Sequence, residues 1–108
     1  MEEEVIVNPA QQKLARYAKA MGHPVRVYIL QLLSEQSCCY SKDLSEILPI
    51  AKSTLSQHLK ELKAAGLIQG EIKAPRIKYC INRTNWEEAR LLLDDLFRPK
   101  VNVIQCDI

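Results

Sequence analysis

Two amphipathic segments, residues 40–50 and 51–67, follow one another with no linker between them. The second places Leu55, Leu59 and Leu62 at helical spacing, one apolar stripe on one side. Ser53, Thr54, Ser56, Gln57, Lys60 and Lys63 occupy the opposite side, short hydrogen-bonding groups first and cations after. That order suits a helix laid in the major groove of DNA, touching base edges near its start and phosphates along its length. A helix whose outer face serves solubility alone more often carries Glu/Lys pairs.

The chain has 108 residues, which predicts a single domain over 1–108 with a loose leader at 1–8 and a tail at 98–108. A domain this short buries a modest core and gains stability by pairing with a copy of itself. Hydrophobic residues make up 47% of the chain, too many for a disordered tail. No apolar run approaches the roughly 20 residues that span a bilayer. The start, Met1-Glu2-Glu3-Glu4, lacks the basic and apolar regions of a signal peptide. A cytoplasmic protein with no membrane partner is the expectation. The formal net charge is only +2, but its distribution is uneven. Lys52, Lys60, Lys63, Lys73, Arg76 and Lys78 face only Glu61 and Glu71 in the middle of the chain, which fits one phosphate-facing surface or a solvated charged face.

Periodicity orders the elements. Residues 9–21 carry Leu14, Tyr17, Ala18 and Met21 at helical spacing behind Pro9. Pro24 opens a second helix to about Ser34, and residues 36–40 read as a brief strand. Ser41 reads as the N-cap of a third helix that carries Leu44, Ile47 and Leu48 and stops near Pro49. The fourth helix begins at Ala51 or Lys52 and closes at Gly66, a left-handed cap. The period then changes to two over residues 67–72 and 77–81, with a basic connection Lys73-Ala74-Pro75-Arg76 between. Thr84-Asn85-Trp86-Glu87 matches a capping box and opens a last helix to about Phe97. Leu91, Leu92, Leu93, Leu96 and Phe97 nearly encircle that helix, as a subunit interface would require. The expected fold is mainly α with a small β-hairpin: a winged helix-turn-helix in the order α-α-(β)-α-α-β-β-α.

At this point the chain resembles the ArsR/SmtB family of winged-helix repressors. Residues 22–33, beginning Gly22-His23-Pro24-Val25-Arg26, resemble the family's second-helix signature. Asp43-Leu44 resembles the start of the helix before the recognition helix. Residues 53–68, with Ser56-Gln57-His58-Leu59 and the closing Ala65-Gly66-Leu67, resemble the recognition helix, and Ile77-Lys78-Tyr79 the second wing strand. The resemblance spans about residues 10 to 97 and implies a homodimer joined through its first and last helices. It also implies that the DNA-bound form represses transcription from a double-stranded operator, and that an inducer weakens binding.

On this reading Ser53, Thr54, Ser56 and Gln57 approach base edges or nearby phosphates, with Gln able to pair bidentately with adenine. Lys60 and Lys52 neutralise phosphates, and Lys73 and Arg76 at the wing tip touch the backbone or the adjacent minor groove. His58 lies near the apolar stripe and fits either a structural histidine or a DNA contact.

Two inducer sites of the family do not transfer. The zinc-type site uses His and carboxylates on the last helix, which here holds Asp94 and Asp95 but no His. The arsenic-type Cys-x-Cys-Asp-Leu motif, aligned on Asp43-Leu44, finds Tyr40 and Lys42 where the cysteines belong. Cys38-Cys39 stands just upstream instead. Vicinal thiolates chelate a soft ion such as As(III) or Sb(III), which takes a third sulfur from Cys106, favoured here, or from Cys80, on the second wing strand that in this fold often pairs with the short strand near Cys39. Thiol oxidation or persulfide formation is the alternative chemistry for the same residues. Packed, functionless cysteines are a third reading. No obligatory cofactor is expected, and no Gly-rich phosphate loop, nucleophile elbow or acid/base pair supports an enzyme. A dimerisation module that ignores DNA would account for the last helix but not for the polar turns and basic wing.

Overall fold

The computed structural model describes residues 6–37, 39–72 and 77–101. Asn8 starts the first helix, α1 (Pro9–Met21), with a reciprocal capping box. Its side chain accepts from Gln11 N at 2.8 Å while the Gln11 side chain accepts from Asn8 N at 3.0 Å. Pro9 fills the first turn, where a missing N–H costs nothing. Gly22 interrupts, and α2 (Pro24–Ser34) follows, capped by His23 Nδ1 accepting from Val25 N at 3.0 Å.

The third expected helix is not one. Leu44–Glu46 forms a single 3-10 turn whose N-cap is Asp43, not Ser41. The expected brief strand before it reduces to one antiparallel bridge, Tyr40 against Tyr79. That bridge holds the chain extended at Tyr40, Asp43 Oδ1 accepts from Ser45 N at 2.9 Å, and Pro49 closes the far side. Too few residues remain between those constraints for α-helical bonds to propagate.

The recognition-helix candidate, α3 (Lys52–Ala64), buries Leu55, Leu59 and Leu62 as its stripe requires. Each such burial contributes roughly 1.5–3 kcal/mol, which fixes the face of α3 that looks outward. Gly66 ends it at φ +87°, with Gly66 N donating to Lys63 O at 2.9 Å and Leu67 N to Leu62 O at 3.0 Å. The hairpin is β1 (Ile68–Glu71) paired antiparallel with β2 (Lys78–Ile81) in the register Ile68↔Ile81, Gln69↔Cys80, Gly70↔Tyr79 and Glu71↔Lys78. Ile68, Tyr79 and Ile81 point into the core with Ile29, Leu33, Leu44, Leu62 and Leu67.

The last helix, α4 (Arg83–Phe97), starts earlier than the sequence suggests. Asn82 is the N-cap and accepts from Asn85 N at 3.1 Å, so Thr84 lies inside the helix. Glu87 pairs with Arg90 rather than closing a capping box. Tyr17 Oη donates to Glu88 Oε1 at 2.6 Å and Lys13 Nζ bonds Glu88 Oε2 at 2.8 Å, tying α1 to α4. Glu88 is held below the ordinary glutamate range by these two donors, Lys13 first. Helices in this order, a turn leading into α3 and a hairpin after it make a winged helix-turn-helix. No helix among the described residues is long and apolar enough to cross a membrane.

Candidate nucleic-acid interface

Burying one side of α3 sends the other to solvent. Lys52, Ser53, Thr54, Gln57 and Lys60 are all exposed. Ser56 is half-buried and turns toward the hairpin, lining a cleft with Leu55, Leu59, Ile72, Ile77 and Tyr79. Gln57 Nε2 donates to Glu61 Oε2 at 2.9 Å, one helical turn on. This bond holds the amide along the outer face of the helix. Ala51 caps the helix without a side-chain bond, so the first N–H groups of α3 receive no protein acceptor from their cap. Asp43 stands behind this end with its Oδ2 at 3.9 Å from Lys52 Nζ, a loose and largely solvated pair. The Ser45 backbone N–H holds the Asp43 carboxyl below its ordinary value, with smaller help from the Ser45 side chain and Lys52.

His58 belongs to the inner side. It is buried, Arg26 Nε donates to its Nδ1 at 3.0 Å, and its ring lies 4.3 Å from that of His23. Arg26 also donates through Nη1 to Ala20 O at 3.2 Å. Burial, then His23, then Arg26 push the His58 pKa below its ordinary value. A neutral ring that accepts at Nδ1 is the form this site holds, and it docks α3 onto α2 rather than onto a ligand. The sequence left His58 open between two roles, and it gave Arg26 only as part of the second-helix signature, with no partner. Its alignment with an inward-facing His58 depends on the packing angle of α2 on α3, which spacing does not carry.

The thiols are divided. Cys39 and Cys80 are brought together, with their Sγ atoms 2.9 Å apart. Gln69, opposite Cys80 in the hairpin, places Nε2 3.8 Å from Cys80 Sγ. Cys38, Cys106, Lys73 and Arg76 lie outside the described residues. Among the described residues no three His, Cys, Asp or Glu side chains converge as metal ligands. The zinc-type arrangement on α4 does not fit this chain: Asp94 and Asp95 have no imidazole beside them, and Asp94 already pairs with Arg98. Two adjacent sulfurs fit a soft ion or redox chemistry instead.

Hairpin, recognition helix and outward polar face together define a DNA-binding transcriptional regulator of winged-helix type. Sequence comparison agrees, since residues 23–69 match the family described as "Bacterial regulatory protein, arsR family". The HTH-type transcriptional regulator YgaV of Escherichia coli K12 is 35% identical over 81 residues, covering 75% of this chain and 82% of that one. The HTH-type transcriptional repressor SmtB of Mycobacterium tuberculosis H37Rv is 40% identical over 62 residues, covering 56% and 44%. The structure of HlyU from Vibrio cholerae N16961 superposes with a TM-score of 0.63 at 28% identity, covering 84% of this chain and 98% of that one. The chain belongs to the ArsR family of transcriptional regulators.

Proposed function

We propose that the protein is a homodimeric repressor that binds a double-stranded operator through α3 and the wing and is released by a thiophilic inducer. The observation that carries the DNA reading is the sidedness of α3. Its leucine stripe and His58 are buried, while Ser53, Thr54, Gln57 and Lys60 are exposed on the other face. Ser53, Thr54, Ser56 and Gln57 read bases or nearby phosphates, and Lys52, Lys60, Lys73 and Arg76 neutralise phosphates. Repression is the direction suggested by the name of the SmtB relative.

As(III) or Sb(III) is the inducer that the thiol set favours, held by Cys38, Cys39 and a third sulfur from Cys106 or Cys80. The 2.9 Å approach of Cys80 to Cys39 supports Cys80 for that third position, against the preference for Cys106. A ligand here pulls on Tyr40, whose bridge to Tyr79 links the wing to the 3-10 turn before α3. Release requires that the ion bind the DNA-free form more tightly, by a coupling of about 1–3 kcal/mol. Persulfide or oxidant sensing by the same thiols is the second reading, favoured by the same sulfur–sulfur approach.

Fluorescence anisotropy with the protein's own upstream DNA tests both levels. Gln57→Ala should weaken operator binding by about 5- to 100-fold, with a much smaller loss on unrelated DNA at the same salt. Equal losses on both DNAs would contradict base readout at Gln57. Adding arsenite, Zn(II) or a persulfide donor to the bound complex then sorts the inducers. Arsenite should release the unsubstituted protein and leave a Cys38→Ser/Cys39→Ser variant bound. Normal release of that variant removes the cysteine pair from the sensor.

A further inference from the structure

We propose that Cys39 and Cys80 are a dithiol–disulfide couple, a redox modification site that ties β2 to the chain leading into the 3-10 turn. Tyr40 and Tyr79 exchange both backbone bonds, N to O at 2.7 and 3.0 Å, so they form the hydrogen-bonded pair of a short antiparallel ladder. The next position across that ladder is Cys39 opposite Cys80, a non-hydrogen-bonded position. In such positions the Cα atoms stand roughly 4.5 Å apart, inside the range of about 4.4–6.8 Å that a disulfide spans. The side chains already meet, with Sγ to Sγ at 2.9 Å, and both residues are only half-buried. Closing the bond therefore takes side-chain rotation and leaves the Tyr40–Tyr79 bridge in place.

Hydrogen peroxide as the oxidant balances the step. One thiolate attacks a peroxide oxygen, the O–O bond breaks, and a sulfenic acid and water result. The second thiolate attacks the sulfenic sulfur, the S–S bond forms and a second water leaves. Two electrons pass from the two sulfurs to the two peroxide oxygens. A small dithiol reverses the change by exchange. The bond closes a loop from residue 39 to residue 80 that contains the 3-10 turn, all of α3 and the wing. It holds the DNA-reading elements in their present arrangement and withdraws the Cys39 thiol from any ion. Oxidation thus keeps the repressor on DNA and blinds it to a thiophilic inducer, a consequence that rests on the inducer reading above.

The test uses the full chain treated with hydrogen peroxide, blocked with iodoacetamide and digested with trypsin without reduction. The peptide spanning residues 27–42 should appear joined to that spanning 79–83, two hydrogens lighter, in the unsubstituted protein. Cys38→Ser and Cys106→Ser variants should give the same link, and dithiothreitol should separate it. Oxidation should raise the thermal midpoint of a Cys38→Ser/Cys106→Ser variant by at least about 5 °C, and not that of Cys80→Ser. In the unsubstituted protein, oxidation should leave operator affinity within about threefold while release by arsenite is lost. Abolition of the link by Cys38→Ser, a link surviving in Cys39→Ser, or Cys39 and Cys80 left fully alkylated would overturn the assignment. A reduced protein that ignores arsenite but forms this link retains the couple and rejects the inducer.

Discussion

His58 sits on the buried side of α3, its Nδ1 accepting from Arg26 Nε at 3.0 Å, with the His23 ring 4.3 Å away. Protonation there would put an N–H against a guanidinium and a positive ring inside the core, so the folded pKa lies below 6.5, with burial as its main cause. Below the unfolded value the unfolded chain binds the proton more readily than the native one. The stabilisation from a neutral His58 is therefore fully present above about pH 6.5 and is lost as pH falls from there through the lower folded value. The thermal midpoint should drop between pH 7 and pH 5. The carboxylates of Glu87 and Glu88, both held below 4.5, make their own losses at lower pH and do not blur this window. His58→Gln keeps a neutral acceptor for Arg26. It should be less stable than the unsubstituted protein at pH 7.5, by about 1–2 kcal/mol, and flatter between pH 7 and pH 5. An undiminished slope in His58→Gln would place the titration on another group.

Gly70 lies in β1 at φ +114°, opposite Tyr79, and a Cβ built there meets Lys78 O at 2.2 Å and Tyr79 Cα at 2.8 Å. Backbone angle and backbone contact both exclude a side chain, so Gly70→Ala must break the register that keeps Tyr79 buried and Cys80 beside Cys39. A loss of roughly 2–4 kcal/mol in urea unfolding is expected, together with weaker operator binding. An effect below 0.5 kcal/mol would mean the hairpin adjusts freely. The elements that long periodic runs or strong stops define were legible: α1 behind Pro9, α3 with its leucine stripe and Gly66, and the two hairpin strands, of which β2 alternates in burial. Those decided by competition between local bonds were not. Ser41 and Thr84 both look like caps, but Asp43 and Asn82 take those places because their side chains reach the Ser45 and Asn85 N–H groups. The residues that face outward from α3 follow from its period, except Ser56, which is half-buried beside the hairpin. The Cys39–Cys80 meeting follows from strand pairing between segments 41 residues apart, a register that spacing does not carry but that the winged-helix resemblance made an expectation.

Over the whole molecule, apolar surface left uncovered gathers on α4. Leu91 is 52% exposed, Leu96 57% and Phe97 74%, while Trp86, Leu92 and Leu93 are half-buried on the same helix. A cleft lined by Met21, Trp86, Ala89 and Leu93 continues that surface onto the end of α1. The proposed dimer, with a second copy over both helices, would cover this exposure and also answer a demand of DNA reading. One α3 reads a single half-site, whereas two held by a symmetric interface bind half-sites about one helical turn apart and gain the effective concentration of linkage. Leu91→Glu/Leu96→Glu places two carboxylates where the partner would pack and alters no residue of the core or the DNA face. Sedimentation should find the unsubstituted protein dimeric at micromolar concentration and the variant monomeric with unchanged helix content. Operator affinity should fall about 100-fold or more in the variant, while its weak binding to unrelated DNA changes little. A variant that stays dimeric would move the interface off α4. A monomer that keeps full operator affinity would show that one α3 with one wing suffices, and the exposed leucines would then need a different partner.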